Sequence, residues 1–468
     1  MNKAFKIDIP LFIASITIIA IGLFTLFSLM NAGGEGRNSI FATAFTNQLV
    51  FALIGILLSI AVFMISPVYL KFRFIIIAIY VGTIILLIAT LIFGKDIEGI
   101  EGVRRWITIG STTLEDGSVV GGITIQASEF TKFTMILVIA GILTLVHPGK
   151  DQGKISPQNK ALYYIYQNRT LLVSIILSIF VIAMVYAQKS LSVTIVISLI
   201  LFSVIFASLK HKYFLLSSIH IFLTSFIAAQ GIIPVAWSLK IVLILSIPVV
   251  IGMYFFMKKK SLVVMCLICL AGIFSGVVIA NLVWNNVLQD YMKERVETFF
   301  DPDRDAQNEG FQQEQAKISI GAGQFFGQGF REVSEYQVEQ LPVPTTDFIF
   351  AIFGYKFGYL GTTILVLLYL VLIGRLFYLA DVMQDRYSSL VLTGIGTMIL
   401  VQFFFNIGMN LDLLPVGGTT LPLMSAGGSS LITTMVALAF AQSVIAHNHL
   451  EKNVYRRRDK VLINGWNV

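Results

Sequence analysis

The chain has 468 residues, 56% of them hydrophobic and 13% charged, with a formal net charge of +7 and a mean hydropathy of +0.83. An ordinary soluble domain carries roughly 25% charged residues, so this composition excludes a water-soluble fold and indicates a polytopic membrane protein. The apolar runs are long and unbroken, which favours helices over the shorter alternating strands of a barrel; the expected class is all-α.

In chain order, apolar spans lie near 11–30, 49–66, 74–94, 133–147, 171–187, 191–209, 213–229, 241–257, 262–284, 347–374, 388–409 and 420–446, about twelve by the length criterion. The first run is of spanning length and lacks a small-residue cleavage site, so it is expected to stay as the first helix. With the N-terminus inside, the inner connections hold pairs such as Lys71 and Arg73, Lys210 and Lys212, Lys258 to Lys260, and Arg375 and Arg386. The short outer ones hold little beyond Arg37, Lys189 and Lys240, a positive-inside pattern. Both termini are therefore expected to be cytoplasmic, with two long outer loops, 95–131 and 285–346. The basic tail 447–468 reads as a topology anchor near anionic lipid, and the net charge needs no nucleic-acid partner. No tandem repeat and no soluble domain interrupts 1–468, which is read as one membrane domain. Cys266 and Cys269 sit inside an apolar run, where two small buried residues are a better account than redox or metal chemistry.

The outer loops hold the polar chemistry. Arg104, Arg105 and Trp106 suit either an interfacial anchor or a site for an anionic head group. Glu129 and Lys132, three apart at the outer end of a helix, can pair on one face. Residues 301–305 read DPDRD, but Ala306 and Gln312 stand where a calcium loop needs Gly and Glu. The glycines at 321, 323, 327 and 329 lack the strand and the Gly-Lys-Ser/Thr of a phosphate loop, and loop flexibility is the better account of them. What remains is a carboxylate cluster beside Arg295, Arg304 and Lys317, the minimum for general-base chemistry on a hydroxyl with an anionic leaving group. A solvated acidic loop has the same composition. Thr346 and Asp347 begin a later helix as potential caps. The Gly- and Pro-rich stretch 406–430 implies irregular backbone around an outward-facing cavity.

Six ordered motifs, GVRRWI, IQASEFTK, YMKER with FFDPDRD, GFQQEQAKISIGAGQFFGQG, TTDFIFAIFGYKFGYLG and NIGMNLDLLPVGGTTLPLMSAGGSSL, resemble those of the SEDS family, the RodA and FtsW membrane glycosyltransferases. The resemblance implies polymerisation of the lipid-linked disaccharide-peptide precursor of peptidoglycan on the outer face of the cytoplasmic membrane. The family's essential loop aspartate matches Asp305, as activator of the acceptor hydroxyl, with Asp301 structural. Arg105, Glu129, Lys132, Arg295, Lys317, Asp347, Ser425 and Ser429 match polar motif positions that would shape the cavity or hold the diphosphate. A divalent cation at that diphosphate, a class B penicillin-binding transpeptidase and other divisome or elongasome membrane proteins are the implied cofactor and partners.

The chain also departs from the family pattern. Ala127 replaces a proline, Ala426 a tyrosine, residues 308–311 a Gly-x-Gly-Tyr, and Tyr355-Lys356 a Glu-Glu pair. The family has ten spans, which makes 213–257 an apparent extra hairpin. Lys356 lies about 15 Å inside its helix, where an intramembrane charge costs at least about 2.5–3.5 kcal/mol, so it is expected to point inward. Precursor transport and a non-catalytic scaffold are the alternative functions. NIGMN leans towards RodA-like members, whereas TLPL with GGSSL leans towards FtsW-like ones and is favoured.

Overall fold

The computed structural model describes residues 7–30, 35–97, 100–109, 112–113, 119–120, 123–145, 169–208, 293, 309–329 and 345–464. The chain divides into two units, Met1–Ile205 with Gln312–Val468, and Phe206–Phe311. The first carries the architecture below; in the second only 206–208, 293 and 309–311 are described.

Ten α-helices follow one another among the described residues: α1 (Ile9–Phe27), α2 (Glu35–Met64), α3 (Arg73–Phe93), α4 (Ala127–Thr144), α5 (Arg169–Ala187), α6 (Leu191–Ala207), α7 (Glu309–Ala322), α8 (Ile349–Val382), α9 (Arg386–Asn410) and α10 (Gly428–Asn464). Eight are long and apolar enough to cross a membrane; α6 is apolar but shorter, and α7 is polar. The expected spans outside 213–284 correspond to α1–α6 and α8–α10, and the fold is a polytopic helical one. The spans 213–229, 241–257 and 262–284, with both cysteines, lie outside the described residues.

Burial follows composition. The most hydropathic span, α3, is mostly exposed, while α4, the least hydropathic, is enclosed over most of its length, as is α10. Helices facing lipid must be apolar all round; those surrounded by protein can carry polar groups. Close approach uses small residues: a Cβ on Gly22 of α1 would lie 2.7 Å from the Met424 carbonyl oxygen.

Polar clasps hold one end of the bundle. Asp8 caps α1 by accepting from the Leu11 amide, and its carboxylate pairs with Arg375 of α8 at 2.7 Å. The Asp8 amide and carbonyl bond the Gln442 side chain of α10 at 2.8 and 3.0 Å. Beside them Asp385 caps α9 through the Ser388 amide and pairs with Lys71 at 2.8 Å. Burial pushes the Asp385 carboxyl up, but the Lys71 ammonium and the Ser388 hydroxyl and amide outweigh it and hold it below its ordinary value.

At the other end the chain leaves the all-α pattern. Strands β1 (Lys95–Ile97), β2 (Ile100–Ile109) and β5 (Ile123–Gln126) form an antiparallel sheet in the order β1-β2-β5, and β3 (Thr112–Thr113) pairs with β4 (Val119–Val120). The β-branched residues of ITI and ITIQ account for the pairing, with Trp106 opposite Gln126. The sheet runs straight into α4, which starts at Ala127, before the expected end of the loop at 131. The expected span at 420 likewise begins later: residues 411–427 are non-helical, with positive φ at Asp412, Gly418 and Leu423, and α10 starts at Gly428.

Candidate functional site

The loop-bearing end is built around two pieces of irregular backbone. The first is the kink in α8. Gly358 adopts φ 64° and ψ −165°, a region open only to glycine, which breaks the helix ladder. The segment after α7 repairs it: the amides of Gln328 and Gly329 donate to the Tyr355 and Lys356 carbonyls at 3.0 and 2.9 Å, and those of Tyr359 and Leu360 donate to the Gln324 and Phe325 carbonyls at 2.8 and 3.0 Å. Gly327 is required at the crossing, because a Cβ there would collide with the Lys356 carbonyl. Gly323 likewise leaves no room for a Cβ against the Gly354 carbonyl, so these two glycines serve backbone docking rather than loop flexibility, whereas a Cβ on Gly321 would meet open space. Lys356 points inward, 2% exposed, and donates to the carbonyl of Ser28 at the end of α1, 2.6 Å away.

The second is the 411–427 segment, which side-chain amides and hydroxyls hold. Asn406 donates to the Asp347 and Thr419 carbonyls at 2.9 and 2.8 Å, and Asn410 donates to Asp347 at 3.0 Å. Ser425 donates to the Thr346 carbonyl at 2.6 Å and accepts from the Leu421 amide at 2.8 Å. Gln48 of α2 bonds the Ser425 carbonyl and the Gly427 amide. Ser429 accepts from the Gln126 amide at 3.1 Å, fastening the start of α10 to the start of α4.

The charged candidates surround this frame. Glu129 and Lys132 form a buried ion pair at 2.7 Å, one helical turn into α4. Arg105 of β2 donates to the carbonyls of Gln188, at 3.4 Å, and Lys189 in the α5–α6 turn, while Arg104 donates to the Leu91 and Ile92 carbonyls at the end of α3. Lys317, on the exposed face of α7, pairs with Asp412 at 2.9 Å; the hydrogen bond and charge of Asp412 hold its ammonium above its ordinary value. Gln313, a turn earlier, donates to the Leu414 carbonyl at 2.7 Å, so α7 is docked on the loop through two residues. The Asp347 carboxylate lies beside Gly418, 3.6 Å from where a Cβ would stand. Asp347 does not cap α8 with its side chain: the cap position is Phe348, and the Asp347 carbonyl serves the two asparagines instead.

Ser425, Ser429, Asp347 and Lys317 are thus gathered through the 406–430 segment, and Glu129 and Lys132 lie on the helix that Ser429 fastens. Asp305, Asp301, Arg304 and Arg295 lie outside the described residues. Among the described residues, no three His, Cys, Asp or Glu side chains come together as a metal site. The roles of Asp412, Gln313 and Gln48 have no local spacing signal. Asn406 and Asn410 carried one: two asparagines four apart on one face of an apolar span.

Enclosed charges, amide-clamped irregular backbone and a sheet-covered end define a polytopic helical membrane protein with a built polar site. The FtsW/RodA/SpoVE family, described as cell cycle proteins, matches residues 9–248 and 240–450, and the chain belongs to it. The peptidoglycan glycosyltransferase RodA of Treponema pallidum is 27% identical over 453 residues, 94% of this chain and 97% of that one. The peptidoglycan glycosyltransferase MrdB of Escherichia coli K12 is 36% identical over 169 residues, 36% of this chain and 46% of its own length, so the matched stretch spans under half of that relative. A solved structure of a peptidoglycan synthase complex shares the fold with a TM-score of 0.63 at 22% identity, covering 95% of this chain and 99% of its own. RodA of Thermus thermophilus does so with 0.54 at 19%, covering 96% and 99%.

Proposed function

We propose that this chain is a peptidoglycan glycosyltransferase that polymerises a lipid-linked disaccharide-peptide precursor on the outer face of the cytoplasmic membrane. The observation that carries the reading is the near full-length match to the Treponema pallidum peptidoglycan glycosyltransferase. In this reading the Asp305 carboxylate takes the proton of an acceptor sugar hydroxyl. The hydroxyl oxygen then bonds to the donor's anomeric carbon, and the carbon–oxygen bond to the diphosphate breaks, releasing the polyprenyl diphosphate. Arg105, Lys132, Arg295 and Lys317 offer positive charge to the departing diphosphate, and Glu129, Asp347, Ser425 and Ser429 hold the walls of the substrate cavity.

A divalent cation at the diphosphate carries no step of this reading. Among the described residues no three-carboxylate cluster forms, and the acids of 301–305 lie outside the described residues. The expected partner is a transpeptidase of the class B penicillin-binding type. Support comes from the related solved complex, a peptidoglycan synthase in which polymerisation and crosslinking are coordinated. Transport drew its motive from an intramembrane Lys356, and that ammonium is used by the Ser28 carbonyl.

Purified wild type and Asp305→Ala, each with a transpeptidase partner and the lipid precursor, test the proposal. Wild type should form glycan polymer, and the variant should fold but form none. Unchanged polymer length in the variant removes Asp305 from the chemistry; an inactive wild type favours the scaffold.

A further inference from the structure

A cavity of about 550 Å³ lies between α3, α4 and α5, at the end of the bundle opposite the polar site. The first residue of α3, Arg73, and the first of α5, Arg169, both line it, with Thr170 and Tyr80. Its other walls are aliphatic. Ile77 and Val173 on its rim are 50% and 45% exposed, so the cavity opens through the helix surface that faces lipid.

Each feature narrows the occupant. The volume falls in the range of about 300–1,000 Å³ typical of small-ligand sites. Two guanidiniums present the fork geometry that phosphate oxygens match, and basic pockets between spanning helices suit anionic lipid head groups. A free phosphate would leave the aliphatic walls unfilled, and a neutral lipid offers the two guanidiniums no net negative charge. The arginines stand at the helix ends that the basic-loop pattern assigns to the cytoplasmic leaflet.

We propose that this cavity holds an anionic phospholipid, its phosphate between Arg73 and Arg169 and its first acyl methylenes against Ile77 and Val173. The site is separate from the substrate cavity and independent of the proposed glycosyl transfer.

Native mass spectrometry of the purified full-length chain, titrated with phosphatidylglycerol or phosphatidylcholine of identical chains, tests it. Wild type should prefer phosphatidylglycerol. Arg73→Gln/Arg169→Gln should weaken phosphatidylglycerol binding by roughly 25-fold, from about fivefold per cation near an anionic group, and leave phosphatidylcholine binding unchanged. Equal phosphatidylglycerol binding by wild type and the double variant overturns the proposal, as does full displacement of the lipid from wild type by millimolar inorganic phosphate. Should the double variant fail to fold, Val173→Trp decides, because it blocks the cavity with both arginines kept. Lost binding in that variant supports the site, and retained binding overturns it.

Discussion

The Lys356 ammonium donates to the Ser28 carbonyl at 2.6 Å and so ties the upper half of kinked α8 to the C-terminal end of α1. A cation is well placed at a helix C-terminus, where carbonyls lack intrahelical partners. Lys356→Met strips that donor from a half-buried acceptor and should lower stability by about 1–3 kcal/mol. Lys356→Gln keeps a donor and should cost less. Thermal unfolding in detergent ranks the two, and a Lys356→Met protein that melts with wild type would show that the bond does not support α1.

The kink makes a sharper prediction. Gly358→Ala forces a side chain into glycine-only backbone geometry, with its Cβ driven into the Gly327 amide nitrogen. Such backbone strain alone costs about 1–3 kcal/mol, and the clash adds to it. Gly327→Ala meets the Lys356 carbonyl in the same way. Both should reduce the yield of monodisperse protein, whereas Gly321→Ala, where a Cβ meets open space, should not. Size-exclusion profiles of the three variants are the check.

Glu129 and Lys132 invite a double-mutant cycle. Either Glu129→Gln or Lys132→Met leaves one buried charge unpaired and should cost about 3–5 kcal/mol, while the double variant should regain much of it. Polymerisation assays on the same proteins separate architecture from substrate contact. Activity that returns with stability in the double variant marks the pair as structural; activity that stays lost marks a direct role at the substrate.

Acid should loosen the clasp at the other end. The folded Asp385 carboxyl sits below its ordinary value of about 3.9, so its contribution is present above that pH and is lost as pH falls through the lower folded value. Asp385→Asn should therefore melt earlier than wild type near neutrality, and the gap should close towards pH 3. A gap independent of pH would mean that the Lys71 pairing contributes nothing.

The membrane class was legible because lipid imposes a length and composition rule that each span satisfies by itself. Lys356 was legible for a related reason: a charge deep in a span has to be enclosed. The Glu129–Lys132 pair followed from helical spacing. Asp412 was not legible as the partner of Lys317, since 95 residues separate them and only docking of α7 joins them. The sheet in the 95–131 loop was hidden because hydropathy windows of span length average out its two-residue alternation. The α8 kink was hidden because Gly358 stands among other tolerated glycines, and only the crossing at Gly327 gives it a purpose.

The clasp around Asp8 bears on the order of assembly. Its carboxylate meets an arginine 367 residues later, and its backbone meets a glutamine 434 residues later. In synthesis from the N-terminus α1 precedes α8 and α10, so the clasp at the start of α1 cannot close until those two have been made and inserted. Helix α1 is therefore locked only late in synthesis, and a truncation that removes α10 should leave it held to α8 through Arg375 and Lys356 but with the backbone of Asp8 unclasped.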